Sequence, residues 1–358
     1  MKATNLKQKV DFTGKNIFVG IDVHKKNWSN TLYYDQQYLR SYTQPGSVEV
    51  LVNFLKKEYP NANYLCGYET GFSGFEIQRK LESQGIKCVV LNASDIPQTV
   101  KDKLQKTDRL DSRRIAHALA TNSYNPVYIP DIESEADRSL VRYHFILVKD
   151  ITRCKNHIKS LLFQFGVTLP EQYEKRWTKG LVKWLKECDD IKGNARVRLD
   201  LMIEQFEKVK TVYLDTNRRI AELQKSPKYK NSIEILTSVS GIGPLIAIVF
   251  MTEIIDINRF SNMRKLNSYV GFVPMEHSSG EHEIKGGITI RTNKLLRTLL
   301  IEASWIAIRQ DPTLTYTYNE LIKKMTGKRA IIKIARKLLS RIRYVLINET
   351  MYEKGILK

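Results

Sequence analysis

The segment Asn16-Ile-Phe-Val-Gly-Ile-Asp-Val23 decides how the first part of the chain folds. Its apolar and β-branched residues predict a buried strand. Two further strand-like segments, Trp28-Ser-Asn-Thr-Leu-Tyr-Tyr34 and Tyr38-Leu-Arg-Ser-Tyr42, follow after short polar breaks. The three segments together predict a strand meander from Asn16 to about Tyr42.

Helices and strands alternate after this meander. The pattern predicts a helix over 47–59, a strand over 62–68, a helix over 75–84, a strand that ends at Leu91 and a long helix over about 99–121. A meander followed by alternating helices and strands is typical of an α/β domain with a mixed sheet.

The composition indicates a globular protein that binds polyanions. The chain has 358 residues, of which 42% are hydrophobic, and 58 Lys and Arg face 38 Asp and Glu, a net charge of +20. At about 150 residues per domain, this length allows two or three domains. The commonest partner of so positive a protein is the phosphate backbone of nucleic acid, and an anionic membrane surface is the weaker alternative.

Cysteine usage and hydropathy point to the cytoplasm. The four cysteines, Cys66, Cys88, Cys154 and Cys188, lie far apart without a CxxC pair, so we interpret them as ordinary apolar residues in a reducing compartment. The N-terminus lacks the apolar region of a secretory signal. The longest apolar run, over 242–251, is about half of the ~20 residues that a membrane span needs.

A helical middle region follows the α/β part. Apolar residues between positions 140 and 165 alternate spacings of four and three, which predicts a long helix with a heptad seam. A candidate antiparallel partner lies over 199–223, and packing within one chain is at least as plausible as an inter-chain coiled coil. We therefore expect an α/β plus all-α protein with three parts, over 1–128, 129–228 and 229–358.

Acidic residues form a candidate metal site in the first part. A carboxylate in a buried strand such as that of Asp22 costs several kcal/mol unless it is paired, hydrogen-bonded or bound to a metal, although Asp22 could also cap the next turn. Glu69 ends the next apolar strand, and Asp108 and Asp111 lie three apart on a helix, where a solvated face is the default interpretation. Together the four carboxylates match the ligand set of an RNase H-like nuclease, which holds two Mg²⁺ ions, with Mn²⁺ as a substitute.

The last third carries candidate phosphate contacts. The spacing of Gly241 and Gly243 fits a helix-hairpin-helix, whose backbone amides bind phosphate, although a simple glycine turn is the alternative. Residues 285–345 carry 14 Lys and Arg against 3 Asp and Glu, and end in a basic helix over about 328–348. We select the following basic residues for phosphate contact, with a solvated face as the alternative: Lys285, Arg291, Lys294 and Arg297.

A polar segment over 271–280 ends in Ser278-Ser279-Gly280. We expect a flexible loop there, and most such loops are simple turns. A serine on it could act as a nucleophile if a base or a metal approached it.

These motifs resemble, in order and spacing over nearly the full chain, the DEDD-type insertion-sequence transposases of the IS-one-ten family. That family includes the Piv/MooV invertases and the RNA-guided "bridge" recombinases. The matching segments are Phe18-Val-Gly-Ile-Asp-Val-His-Lys25, Tyr68-Glu-Thr-Gly71, residues 106–116, Ser240-Gly-Ile-Gly-Pro244, Gly271-Phe-Val-Pro274, Ser278-Ser-Gly280, and residues 286–289 with 295–305.

The resemblance implies a RuvC-like first domain in which Asp22, Glu69, Asp108 and Asp111 hold the metal. It also implies a serine nucleophile that forms a phosphoserine link with DNA, Ser279 with Ser278 as the fallback. The family acts on element and target DNA as a homo-oligomer, here a dimer or a tetramer, often with a noncoding guide RNA. We also weigh a RuvC-like nuclease without serine chemistry, and a non-catalytic nucleic-acid-binding protein, but only the transposase uses both the carboxylates and the basic last third.

Overall fold

The computed structural model describes residues 11–92, 96, 107–173, 176–279, 282–288 and 292–354, with the backbone alone for 274–279 and 282–288. The chain forms two compact units, Met1–Ile129 and Pro130–Lys358. The division of the second unit near residue 228 stays a prediction.

Unit 1 contains a five-stranded mixed sheet, as predicted. Strand β1 pairs with β2 and β2 with β3 antiparallel, whereas β4 lies parallel to β1 and β5 parallel to β4, giving the order β3-β2-β1-β4-β5. The strands are β1 Asn16–Val23, β2 Asn27–Tyr34, β3 Gln37–Pro45, β4 Asn63–Glu69 and β5 Lys87–Leu91.

Helices cover both faces of this sheet. They are α1 Val48–Glu58, α2 Glu76–Ser83 and α3 Asp108–Ala120, and the predicted helical residues 99–106 lie outside the described residues. Because successive side chains of a strand point to opposite faces, Val19 and Ile21 pack with α1 and α2, and Phe18 packs with α3. Gly20 also faces α3, where a Cβ atom would lie 2.1 Å from the Ser112 carbonyl oxygen.

Unit 2 begins with a long helical hairpin. Helix α4, Ile132–Gln164, packs along α6, Gly193–Gln224, and the short helix α5, Lys179–Glu187, joins their core. Most of the predicted seam thus packs against a partner in the same chain, with Ile158 and Leu161 beside Leu199 and Phe206, whereas Phe165 at its end is exposed.

The rest of unit 2 is a helical bundle around a large apolar core that contains Phe250, Leu300 and Leu338. A β-hairpin interrupts the helices. The elements are α7 Lys230–Thr237, α8 Pro244–Ile254, α9 Met263–Val270, β6 Pro274–Ser279, β7 His282–Ile288, α10 Lys294–Gln310, α11 Pro312–Ile322 and α12 Gly327–Asn348.

The expectation of a flexible serine loop was wrong for residues 274–279. They form strand β6, in which Ser278 pairs with Glu283 and Ser279 with His282 of β7. The polar composition concealed the strand because the pattern lacks apolar alternation.

All four cysteines are free and buried, as expected for small apolar residues. No helix in the described part of the chain is both long and apolar enough to cross a bilayer.

Candidate metal centre and active site

Strand register brings two of the predicted carboxylates together. Gly20 of β1 pairs with Gly67 of β4, and Ile21 with Tyr68, so the next positions along these parallel strands are Asp22 and Glu69. Neighbouring strands lie about 5 Å apart. Both carboxylates belong to the face that α3 covers, since Gly20 and Gly67 contact that helix.

The remaining two carboxylates lie in the first turn of α3. Thr107 caps this helix, and its Oγ1 accepts a hydrogen bond from the Leu110 amide. Asp108 and Asp111 therefore lie at the positive end of the helix, which favours ionised carboxylates. The close approach of α3 to β1 at Gly20 brings this turn over the end of the strand.

His24 lies between two of these carboxylates, although the sequence motifs did not single it out. Its Nε2 is 3.3 Å from an Asp22 oxygen and 3.4 Å from an Asp108 oxygen. One ligand atom from each of the three residues lies within 4.8 Å of the others. The signal was present in the sequence, because residues two apart on an extended segment project to the same face.

The electrostatics of Asp22 favour a bound cation. Burial raises the pKa of the Asp22 carboxyl, His24 opposes this shift, and the charges of Asp108 and Asp111 add to it. A half-buried carboxylate near two others is costly in the ionised form, and a divalent cation relieves that cost. The two carboxylates suit Mg²⁺ and Mn²⁺, which prefer oxygen ligands, whereas an imidazole suits softer divalent ions such as Zn²⁺.

Asp111 is engaged differently from Asp108. Its Oδ1 accepts from Arg114 at 2.6 Å, and both side chains are only 15% exposed. Asp108 is by contrast 64% exposed and Asp22 is 22% exposed. The structure thus brings Asp22, His24 and Asp108 directly together, with Glu69 beside Asp22 by register and Asp111 one helical turn beyond Asp108.

The two glycines of the predicted helix-hairpin-helix play different local roles. Gly241 has a φ of +85°, its amide donates to Gln310 Oε1 at 3.1 Å, and a Cβ atom there would lie 2.3 Å from the Ala303 carbonyl oxygen. Packing against α10 therefore explains this glycine. Gly243 precedes α8, and no atom lies within 4 Å of the place a Cβ would take.

The other predicted contact residues lie around β7 and α10. Lys294 is exposed at the start of α10, and Arg297 is half-buried one turn later. Lys285 lies in β7 and the two serines in β6, for which only the backbone is described. Arg291 lies outside the described residues.

The sheet order of unit 1, with acidic residues at the ends of two neighbouring parallel strands and on the covering helix, fits an RNase H-like domain. Two segments of the chain also match models of known protein families. Residues 19–166 match the DEDD-type transposase domain of the IS110 (IS-one-ten) family, and residues 233–319 match the domain described as Transposase IS116/IS110/IS902 family. The chain belongs to the IS110 family of DEDD transposases.

Bacterial relatives agree with this assignment. The chain is 30% identical over 271 residues to the transposase homologue y4qE of Sinorhizobium fredii, a match over 76% of this chain and 62% of that protein. It is 28% identical to the transposase for insertion sequence element IS1111A of Coxiella burnetii, over 72% of each chain. With the transposase for IS1533 of Leptospira borgpetersenii it shares 25% identity over 71% of this chain and 74% of the relative.

Proposed function

We propose that this protein cuts and rejoins DNA to mobilise its own insertion element, using the carboxylate site of unit 1. The observation that carries the proposal is the cluster of Asp22, His24 and Asp108, whose ligand atoms lie within 4.8 Å of one another at the end of the central strand. Its sequence context is the DEDD-type transposase domain.

The proposed cofactor is Mg²⁺, in a two-ion arrangement that Mn²⁺ can also fill. Asp22 and Asp108 would hold it, with Glu69 and Asp111 supplying oxygen atoms nearby and with His24 hydrogen-bonded to Asp22. Bound there, divalent ions would activate the attacking group and stabilise the leaving oxygen during phosphodiester cleavage. The ion pair with Arg114 fixes the orientation of the Asp111 carboxylate.

The proposed nucleophile is Ser279, with Ser278 as the fallback. Its Oγ would attack a DNA phosphorus, lose its proton and expel a deoxyribose hydroxyl, which leaves a phosphoserine link that strand exchange later reverses. Support comes from the family resemblance and from the position of the pair at the end of β6, beside the connection to β7.

The proposed partners are the element ends, the target DNA and a noncoding guide RNA. In such a system the protein reads backbone and shape, and base pairing reads sequence. Unit 2 carries 40 Lys and Arg against 26 Asp and Glu, and we assign phosphate contacts to Gly243, Lys285, Arg291, Lys294 and Arg297. We further propose that a dimer or tetramer acts on DNA in the bacterial cytoplasm.

The test is a cleavage reaction with purified protein, labelled element-end DNA, RNA transcribed from the flank of the element, and Mg²⁺. We expect a labelled protein–DNA adduct on a denaturing gel, absent in Asp22→Ala and Ser279→Ala but present in the controls Asp189→Ala and Ser261→Ala, which change exposed residues. If Ser278→Ala rather than Ser279→Ala removes the adduct, the fallback is correct.

Two other results would replace this proposal. Cleavage that needs Asp22 but neither serine, without an adduct, would establish the RuvC-like nuclease. Binding of DNA without any metal-dependent change to it, under conditions where the controls fold, would establish a non-catalytic nucleic-acid-binding protein.

A further inference from the structure

Two arginines on α3 face a pair of tyrosines from the β2–β3 edge of the sheet. Arg109 Nη2 lies 3.4 Å from the Tyr38 hydroxyl, and Arg113 Nε lies 3.4 Å from the Tyr33 hydroxyl. The Arg113 guanidinium also lies over the Tyr38 ring, 4.9 Å from its centre. We call these four residues the arginine–tyrosine cluster.

No carboxylate neutralises the two arginines within the part of the chain that the structure describes. Arg114, the next residue, pairs with Asp111 at 2.6 Å, whereas the groups that stabilise charged Arg113, and so raise its pKa, are the Tyr33 and Tyr38 hydroxyls. Both arginines are exposed. Two adjacent exposed guanidinium groups without an acidic partner indicate a surface that meets an external anion.

The tyrosines hold the arginines in place. Tyr33 is 5% exposed, and its ring packs edge-on against His117 and Tyr38 at 5.9 Å each. The Tyr38 hydroxyl donates to Ser41 at 3.3 Å. A guanidinium fixed by stacking and hydrogen bonds loses less side-chain entropy when it binds a ligand.

The cluster begins beside the candidate metal centre. Arg109 directly follows Asp108, whose carboxylate approaches His24, and Arg113 lies about 6 Å further along the helix axis. Residues four apart lie on the same face of a helix. The arginines therefore form a short row that leads away from the carboxylates toward the β2–β3 edge.

We propose that Arg109 and Arg113 bind the phosphodiester backbone of the DNA strand that enters the carboxylate site. This inference rests on the proposed function for the choice of DNA. A guanidinium matches phosphate oxygens with two parallel hydrogen bonds, and exposed Tyr38 adds a ring on which a base or sugar can pack. RNA offers the same phosphate chemistry, so the experiment includes both nucleic acids.

The test measures binding of the full-length protein to element-end duplex DNA, and to RNA of the same flank, in EDTA at several salt concentrations. We expect Arg109→Gln/Arg113→Gln to weaken DNA binding about tenfold and to reduce the slope of log K against log salt by about 2, one per lost phosphate contact. The matched control is Lys56→Gln/Lys57→Gln. It removes the same charge from exposed positions on α1, on the opposite face of the sheet.

If the arginine and the lysine double variants bind DNA with the same affinity and the same salt slope, the inference is overturned. If the arginine double variant loses affinity for RNA alone, the assignment to DNA is overturned. The variant Arg109→Lys/Arg113→Lys should keep the wild-type slope but bind several-fold more weakly than wild type, because lysine lacks the planar fork. Full affinity in the lysine variant would contradict the arginine geometry.

Failure of this inference is distinguishable from failure of the proposed function. Binding in EDTA does not require catalysis, so a changed slope in a protein that never cleaves DNA would support the cluster alone. If the slope is unchanged in a protein that forms the serine adduct, the arginine–tyrosine cluster does not bind DNA, but the proposed transposase function stands.

Discussion

At the scale of one residue, the ionisation state of Asp22 affects the stability of the folded protein. Its pKa is raised by burial and by two neighbouring carboxylates, so the folded protein binds the proton of this group more tightly than the unfolded chain does. The resulting stability is fully present below the unfolded pKa and is lost as pH rises through the higher folded pKa. At neutral pH, ionised Asp22 therefore destabilises the metal-free protein.

Asp22→Asn should consequently raise the melting temperature in EDTA by about 1–3 °C. The same change should abolish the further rise that Mn²⁺ or Mg²⁺ produces in wild type, since a ligand of the native state stabilises in proportion to its occupancy. Thermal unfolding with EDTA and with each metal measures both effects. The control Asp35→Asn should behave as wild type, and an equal metal-induced rise in Asp22→Asn would show that the ion binds elsewhere.

The sequence predicts the acidic residues of this candidate site but not its third member, His24. A buried strand aspartate and a helical aspartate pair are conspicuous because ionised groups are rare in such places. His24 lies two residues after Asp22 in a polar segment, and only the fold brings it within 3.4 Å of Asp108. Long-range proximity of this kind depends on the α3–β1 contact, which no local pattern encodes.

At the scale of elements, the site depends on how closely α3 approaches β1. A Cβ atom on Gly20 would lie 2.1 Å from the Ser112 carbonyl oxygen and 2.3 Å from the Ala116 nitrogen. Because both are backbone atoms, the helix must move as a whole. We expect Gly20→Ala to cost about 3 kcal/mol and to weaken metal binding.

Urea unfolding measures this cost. In the matched control, Gly71→Ala, the nearest atom is 4.0 Å from the new Cβ, so the change should stay below about 1 kcal/mol. Equal stability of the two variants would show that α3 can shift without loss.

A second contact between elements is a hydrogen-bonded network around Glu253, which lies near the ends of the β6–β7 hairpin. Glu253 is 1% exposed and accepts from Arg142 at 2.6 and 2.8 Å and from Asn293 at 2.7 Å. Asn293 also caps α10, and its amide donates to the Tyr269 carbonyl. This network ties α4, α8 and the start of α10 together around the residues that flank β6 and β7.

We expect Glu253→Ala to destabilise the protein by about 2 kcal/mol, since it removes the buried acceptor of the Asn293 side-chain amide and of the Arg142 guanidinium. Amide hydrogen exchange should also rise at the ends of the hairpin. Denaturant unfolding should place the exposed-site control Glu234→Ala within about 0.5 kcal/mol of wild type. A similar value for Glu253→Ala would show that the network adds no stability.

Elements with strong apolar periodicity were predictable, and elements with polar sequences were not. The strand meander, α1 and α2 follow from local patterns and agree with the observed bounds to within a few residues, whereas the long helix α4 begins eight residues before the apolar seam that predicts it. The strand β6 was missed because Met275, Glu276 and His277 carry no apolar alternation. Gly241 contacts Ala303 on α10, which is far away in sequence. The sequence alone therefore does not show whether this glycine is needed for packing or for binding phosphate.

At the scale of the whole molecule, each of the two units has its own apolar core. The cores of unit 1 contain Ile21, Leu55 and Leu119, and those of unit 2 contain Phe206, Phe250 and Leu338. Separate cores predict independent folding. A fragment of residues 130–358 should therefore give a strongly helical circular dichroism spectrum and a cooperative urea transition, whereas an aggregated or non-cooperative fragment would contradict this.

We propose that the carboxylate site of unit 1 and a serine of unit 2 are both required to mobilise DNA. The most direct measurement places the gene with its native flanks on a plasmid and detects excised circles and new insertions by junction-specific amplification. We predict junctions with wild type and none with Asp22→Ala or Ser279→Ala. Junctions at wild-type frequency in Asp22→Ala would contradict the account, because the metal centre would then take no part in strand cleavage.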